Sequence, residues 1–302
     1  MSARNRTKAA LALAVVAMAA LVLAATSADA AIILYEGFDY AAGDIDGSQA
    51  GGIGFDTTGW TTSNHSNTNS YDVFSPGLSF PGVPTEGLSV ARPSAPGSAE
   101  MNRPISAAPQ AALTADGSTI WFSVLMRDRT FAGRYENAAL VLGAGAFTNA
   151  GSKPVTMAGG EAFGVAFDGS NNPVTNSLDV HAIAIDDGAT TLSTGFIEDP
   201  TSGENITYLI AGKIEWASAG NDDTLSLYNI TDVNAALPAP FATMTADLDQ
   251  SAFDTVAIAS QQIGIFDEIR FGDAYTDVVV PEPATLTLLG LGALIALRRR
   301  RS

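Results

Sequence analysis

The residue types that most often carry out catalysis are sparse in this sequence. Cysteine is absent, which excludes thiol chemistry and disulfides. The two histidines, His65 and His181, are too few to build a zinc site with imidazole ligands alone. Neither accompanies a Gly-x-Ser-x-Gly elbow, and no glycine loop with a lysine is present to cradle a phosphate. We expect both histidines to be ordinary, partly exposed side chains.

Carboxylates are the abundant reactive group. Glycoside hydrolysis needs two of them facing each other across a groove. Glu161, Glu215 and Glu268 each stand alone in or beside a strand-like segment, and no Glu-x-Asp-x-x-Glu strand occurs. Some acids will pair in space by chance because the chain is so rich in them. We therefore expect no enzyme activity, with a polysaccharide-degrading enzyme as the minor alternative.

Carbohydrate binding usually relies on exposed aromatic side chains. Trp121 and Trp216 lie within strand-like segments and are expected in the core. Trp60 precedes a polar loop that also contains Tyr71, and it is the one tryptophan expected to be exposed. This is the sequence basis for a carbohydrate-binding alternative.

The charge of the chain is strongly negative once its two ends are set aside. Of 15 basic residues, three lie before residue 31 and four after residue 280, whereas only two of 32 acidic residues do. Residues 31–280 therefore carry eight basic and 30 acidic residues, a net charge of −22. Such a surface repels nucleic acid. It favours solubility, with recruitment of divalent cations as the alternative.

The pattern between the two ends is that of short β-strands. Segments of alternating or continuous apolar residues are separated by Gly, Asn, Asp and Pro clusters, which is typical of an all-β sandwich. The predicted strands are 32–35, 120–127, 162–167, 178–185, 207–216, 224–228 and 264–271, with a hairpin at 219–223. Residues 56–104 are rich in Ser, Thr, Asn, Gly and Pro and predict a long loop with one short strand near 88–91. At most one helical turn is expected, at 234–236.

The N-terminus has the three parts of a secretory signal peptide. Arg4, Arg6 and Lys8 precede an apolar run over residues 9–25, and Ala28 and Ala30 form a small-x-small cleavage site. Cleavage by signal peptidase would start the mature chain near residue 31. A retained transmembrane anchor is the alternative, because the apolar run approaches the length needed to span a bilayer.

The C-terminus has three parts as well. Pro281, Glu282 and Pro283 precede an uncharged run over residues 284–297, and four arginines follow: Arg298, Arg299, Arg300 and Arg301. Arginines resist crossing a bilayer, so this order predicts an exported domain with a cytoplasmic basic end. The run is short for a permanent span, at about 21 Å against about 30 Å of hydrocarbon, which suits a temporary anchor.

This tail resembles the PEP-CTERM sorting signals. The resemblance implies that Pro281, Glu282 and Pro283 are the recognition element for an exosortase, a membrane-embedded protease that cuts near them. It also implies that the four arginines stop transfer, and that the protein leaves the inner membrane for the cell surface or the extracellular space. A permanent single-pass anchor is the alternative.

The middle of the chain resembles the LamG-like, concanavalin-type jelly rolls. The resemblance rests on residues 34–40 (LYEGFDY), 121–123 (WFS) and 266–272 (FDEIRFG). It implies two packed antiparallel sheets whose first and last strands lie side by side. It also implies a structural calcium ion held by Glu36, Asp39 and Asp267. The alternative is that Asp267, Glu268 and Arg270 only pair with one another at a strand edge.

These observations predict a signal peptide at 1–30, a jelly-roll domain at 31–276, a linker at 277–283 and a hydrophobic helix with a basic tail at 284–302. The predicted fold is an all-β, antiparallel two-sheet jelly-roll sandwich flanked by two terminal helices. The predicted function is that of a non-enzymatic, adhesive or structural protein of the cell envelope or extracellular matrix. The PEP-CTERM resemblance further implies a link to exopolysaccharide.

Overall fold

A computed structural model describes residues 32–64, 71–85, 87–92, 99–128, 137–149, 156–169, 178–193, 206–218, 220–260 and 264–279. The predicted signal peptide, the Pro-Glu-Pro motif, the tail that follows it and His65 lie outside these residues. Within the described ranges, no helix is long and apolar enough to cross a membrane.

The described residues form two large antiparallel sheets and a small ribbon. Sheet 1 contains β1 (Ile32–Glu36), β2 (Gly43–Asp44), β4 (Asp72–Phe74), β5 (Ser89–Ala91), β7 (Thr119–Asp128), β14 (Thr207–Glu215), β15 (Asp223–Ile230), β16 (Ala242–Ala246) and β18 (Gly264–Gly272). Sheet 2 contains β3 (Thr61–Asn64), β6 (Ala99–Pro104), β8 (Asn137–Gly143), β11 (Ala162–Gly169), β12 (Leu178–Asp186), β13 (Ala189–Leu192) and β17 (Thr255–Ser260). The ribbon pairs β9 (Phe147–Asn149) with β10 (Thr156–Met157). The helices are α1 (Ala107–Leu113) and α2 (Tyr275–Val278), with a single 3₁₀ turn at Gln250–Ala252.

The order of the strands confirms the predicted two-sheet jelly-roll sandwich. Sheet 1 runs β16-β15-β14-β7-β18-β5-β4-β2, and sheet 2 runs β13-β12-β11-β8-β17-β6-β3. The first strand pairs antiparallel with the last, with Ile32 opposite Gly272 and Glu36 opposite Ile269. The predicted hairpin is present as well, joining β14 to β15.

Alternation along the strands separates the core into layers. In β7, Phe122 and Val124 point between the two sheets, whereas Trp121 and Leu125 lie in a second apolar cluster on the other face of sheet 1. That second cluster is covered in part by α2 and by residues 78–83. Both faces of the central strands are therefore buried, which explains why β7 has apolar residues at consecutive positions.

The structure differs from the sequence prediction at three places. Residues 56–104 contain four strands, β3 to β6, instead of one short strand in a long loop. The helix α1 occupies residues for which no helix is predicted. Residues 277–279 belong to the folded domain and not to a linker, since all three are buried.

Candidate functional site

Glu36 ends β1 and lies at the centre of a buried hydrogen-bond network. Its side chain is 1% exposed. One carboxylate oxygen, Oε1, accepts the backbone N–H of Phe38 at 2.8 Å. The other, Oε2, accepts hydrogen bonds from the Tyr40 hydroxyl at 2.7 Å, the Trp60 indole at 2.9 Å and Arg103 at 2.6 Å. Burial, followed by the charge of Glu36, raises the pKa of Tyr40, so its hydroxyl remains a donor.

Arg103 links the two sheets through this network. It lies on β6 of sheet 2, and it forms a buried ion pair with Glu36 of sheet 1. Its guanidinium also lies 4.2 Å from the centre of the Phe55 ring and donates to the carbonyl of Thr58 at 3.3 Å. A buried carboxylate is tolerated here because a cation and three further donors replace its water.

Asp267 lies in the last strand with an unusual backbone around it. The register of β18 against β7 shifts between Asp267 and Arg270, and Glu268 has a positive φ of 51°. The Asp267 carboxylate is fully buried and accepts the N–H groups of Leu78 at 2.7 Å and Glu268 at 2.8 Å. A Cβ on Gly77 would lie 2.9 Å from this carboxylate, so the loop approaches this closely because glycine is present.

The pKa of Asp267 is raised to about 8. Burial is the main cause, and the negative charge of Glu268 is the second. The N–H donors of Leu78 and Glu268 favour the charged form but do not outweigh these two effects. At neutral pH this carboxyl group is therefore largely protonated.

Glu268 and Arg270 form a second buried ion pair two residues apart. Arg270 donates to Glu268 at 2.6 Å and to the backbone carbonyl of Pro84 at 2.7 Å. The Tyr35 hydroxyl, from β1, donates to Glu268 at 3.1 Å. The Asp-Glu-Ile-Arg motif thus ties β18 to the first strand and to the loop containing residues 77–84.

This geometry gives the predicted calcium ligands other roles. Both oxygens of Glu36 and both oxygens of Asp267 accept hydrogen bonds, while Asp39 is exposed. Calcium needs six to eight oxygen ligands, and the positions around Glu36 are taken by N–H and O–H donors. The alternative expectation, pairing among Asp267, Glu268 and Arg270, describes the structure better, although β18 is a central strand and not an edge.

A different group of acids could hold a metal. One carboxylate oxygen each from Glu161, Asp186 and Asp187 lies within 4.8 Å of the others. Asp187 and Gly188 have φ of 48° and 77° and form the two-residue turn between β12 and β13, for which Asp-Gly is a favoured sequence. Glu161 accepts the N–H of Asp249 at 2.6 Å, and its pKa is raised first by burial and then by neighbouring aspartates. In the sequence Glu161 stands alone. The pairing of β11 with β12, with Ala162 opposite Ile185, brings it beside the Asp187-Gly188 turn.

The aromatic candidates for sugar binding lie in the core. Trp60 and Tyr71 are both fully buried, so the expectation that Trp60 is exposed is wrong. The indole of Trp60 is instead one of the donors to Glu36. Trp121 and Trp216 are 9% and 3% exposed, as predicted for core residues.

His181 is a partly exposed side chain, as expected from the sequence. Its Nδ1 lies 2.9 Å from the backbone oxygen of Ser193 across the β12–β13 hairpin. This contact gives the ring a role in fixing the hairpin.

Residues 274–279 form a short segment, which we call the C-terminal clasp, and its last three residues are buried. Val278 and Val279 are both 0% exposed. The hydroxyl of Ser123, on β7, donates to the Val278 carbonyl at 2.6 Å, and the ring of Tyr275 lies 5.4 Å from that of Trp121. The clasp therefore packs on the outer face of sheet 1.

The sequence immediately beyond this segment matches a known sorting signal. Residues 279–301 match the PEP-CTERM protein-sorting motif, which confirms the resemblance noted for the tail. Among curated proteins of known function, none matches the sequence.

Solved structures that resemble the fold include lectin-like domains and GH43 glycoside hydrolases, all with little sequence similarity. A carbohydrate-binding module from the evolved Dit protein of Lactobacillus casei BL23 phage J-1 is 9% identical, with a TM-score of 0.38 over 71% of this chain and 96% of that one. The metal-free carbohydrate recognition domain of Emp46p is 8% identical, with a TM-score of 0.41 over 71% and 88%. Peanut lectin with a bound peptide is 11% identical, with a TM-score of 0.37 over 78% and 96%. At these values the likeness transfers no ligand, and the fold class rests on the strand pairing itself.

Proposed function

We propose that the protein is exported, held in the inner membrane by its tail, and then cut near residues 281–283 so that the sandwich reaches the cell envelope or extracellular matrix. In this proposal the domain acts as a non-enzymatic structural or adhesive element. The observation that carries the proposal is the position of the PEP-CTERM motif, which starts at residue 279, a buried residue of the domain.

The physical chemistry of the tail supports this topology. Arg298 to Arg301 resist translocation, and the uncharged residues 284–297 can partition into the bilayer. Residues 31–280, in contrast to the basic tail, carry a net negative charge. A strongly acidic surface keeps a released protein hydrated and soluble. Signal peptidase at Ala30 and an exosortase-type protease at Pro281, Glu282 and Pro283 are the proposed processing partners.

The buried acids of the first and last strands form hydrogen bonds and ion pairs within the domain, which supports a structural role for them. Glu36 and Glu268 are each paired with an arginine, and Asp267 accepts two backbone N–H groups. These contacts join the first strand, the last strand and both sheets. A carbohydrate-binding role would need residues other than Trp60, Trp121 and Trp216, whose rings are packed in the core.

The test is the intact mass of the protein from its native host, measured in the membrane and released fractions. We expect a released species that begins near residue 31 and ends close to Pro281. A variant in which Pro281, Glu282 and Pro283 are all replaced by alanine should accumulate in the membrane with its C-terminus intact. A wild-type chain that ends at Ser302 in every fraction would instead identify an ordinary anchored ectodomain.

A further inference from the structure

The sorting motif lies close in sequence to a buried residue of the domain. Val279 is fully buried, and Pro281 follows it by two residues. Two residues span at most about 7 Å, even when fully extended. The recognition motif therefore starts within that distance of a residue that is part of the core of the domain.

Several contacts hold the C-terminal clasp in place. The Val278 carbonyl accepts the Ser123 hydroxyl, and the Val279 N–H donates to the Tyr275 carbonyl at 3.1 Å. At the other end, the Asp277 carboxylate accepts the Ala274 N–H at 2.9 Å. These contacts involve backbone groups at both ends of the clasp, and the two valine side chains add buried apolar area.

A protease needs an extended stretch of substrate on both sides of the bond that it cuts. Extended peptides bind partner proteins through their main-chain N–H and C=O groups, with pockets for alternate side chains. In the clasp the Val278 carbonyl and the Val279 N–H are already hydrogen-bonded, and the chain is helical from Tyr275 to Val278. A helix of four residues has little stability of its own, so the clasp can open locally without unfolding of the sandwich.

We infer that docking of the C-terminal clasp on sheet 1 restrains cleavage at the sorting signal, so that processing proceeds through molecules in which residues 274–279 have detached. This inference rests on the proposed function, because it concerns the same processing step. When opening and closing are fast relative to cleavage, the rate of cleavage follows the population of the open form. The fold then sets how long the protein stays anchored before it is released.

Two variants of the full-length chain test this inference. The first inserts six Gly and Ser residues between Val279 and Val280, which separates the motif from the clasp and leaves every residue of the domain unchanged. The second is Ser123→Ala, which removes the hydrogen bond to the Val278 carbonyl. The matched control is Ser226→Ala, which removes another buried hydroxyl of sheet 1 whose partner, at 3.4 Å, is Thr243.

The measurement is pulse-chase labelling in the native host, with intact mass used to follow conversion of the anchored form into the released form. We expect the linker variant to be processed about tenfold faster than wild type, and Ser123→Ala about threefold to tenfold faster, as the loss of one hydrogen bond allows. Ser226→Ala should match the wild-type rate.

Equal rates for wild type and the linker variant would overturn the inference, while leaving the proposed function intact. That outcome would mean that the protease reaches its bond with the clasp still docked. The absence of any shortened species in wild type and in all variants would overturn the proposed function, and the inference with it.

Discussion

Carboxylates converge in two regions of the molecule under opposite conditions. At the junction of the first and last strands, Glu36 and Glu268 are each 1% exposed, and each forms a 2.6 Å ion pair with an arginine. At the β12–β13 turn, Glu161, Asp186 and Asp187 approach one another with no basic residue in the group, and the two aspartates are exposed. Water hydrates the exposed acids at the turn, so they need no counter-charge. The buried Glu36 and Glu268 have lost that water, and each is paired with an arginine instead. The buried acids should therefore matter far more for stability.

The largest effect should come from removing a cation at the buried junction. We expect Arg103→Met to lower the free energy of unfolding by about 3–5 kcal/mol, because it leaves the Glu36 charge buried without its counter-charge. Denaturant unfolding of the mature protein measures this change. The matched control is Lys213→Met, which breaks the surface pair with Glu215, whose side chains are 26% and 48% exposed, and should cost about 0–1 kcal/mol. Equal losses of unfolding free energy in Arg103→Met and Lys213→Met would contradict the proposed difference between buried and exposed ion pairs.

An intermediate effect should appear in the pH dependence of stability. The pKa of Asp267 is about 8 in the folded protein, and that of Asp72 is raised to about 6 by burial and then by its hydrogen bond to Asp44. Both values are above the usual value of about 3.9 in an unfolded chain. The folded protein therefore holds protons on these two groups that the unfolded chain releases, so their contribution to stability is greatest at low pH and declines as the pH rises toward 8.

We expect the Asp267 part of this decline to reach up to about 1.4 kcal/mol between pH 6 and pH 7. Chemical denaturation at a series of pH values measures the slope. Asp267→Asn should flatten it, and Asp39→Asn, at an exposed acid, is the matched control variant. A slope that Asp267→Asn does not alter would show that this carboxyl group is ionised in the folded state.

The smallest effect should occur at the exposed acids. Asp187→Asn keeps a residue that tolerates the positive φ of the turn and removes one of three like charges. We expect a rise in stability of about 0.3 kcal/mol at low ionic strength, which salt should screen. Melting temperatures in calcium and in chelator provide the check. A loss of stability seen only with calcium would mean that these acids bind the ion.

The strands of the inner core were predictable because their pattern is local. The period-two segments that became β7 and β12 contain their own apolar faces, and the pairing of the first strand with the last followed from the family resemblance. The strands β3, β4 and β6 were not predictable, since their sequences are polar and short. They are strands because neighbouring strands supply the hydrogen bonds, as β17 and β3 do for β6.

The buried networks were partly visible in the sequence. The motif containing Asp267, Glu268 and Arg270 indicated a polar centre at the last strand, but the sequence left a metal ligand and pairing among these side chains as two alternatives. The partner of Glu36 is Arg103, 67 residues away in a segment that looked like a loop. Trp60 was misjudged for a similar reason, because its indole donates to Glu36 and its ring packs against Phe38 and Phe55.

The central position of β18 has a consequence for the order of events during export. This strand lies between β7 and β5 and also pairs with β1, so sheet 1 is divided until residues 264–272 are available. A chain that crosses the membrane from its N-terminus, as proposed, delivers this strand last, just before the hydrophobic tail. The polypeptide would therefore remain translocation-competent for nearly its whole length. Closure of the sandwich would then coincide with arrival of the tail in the bilayer.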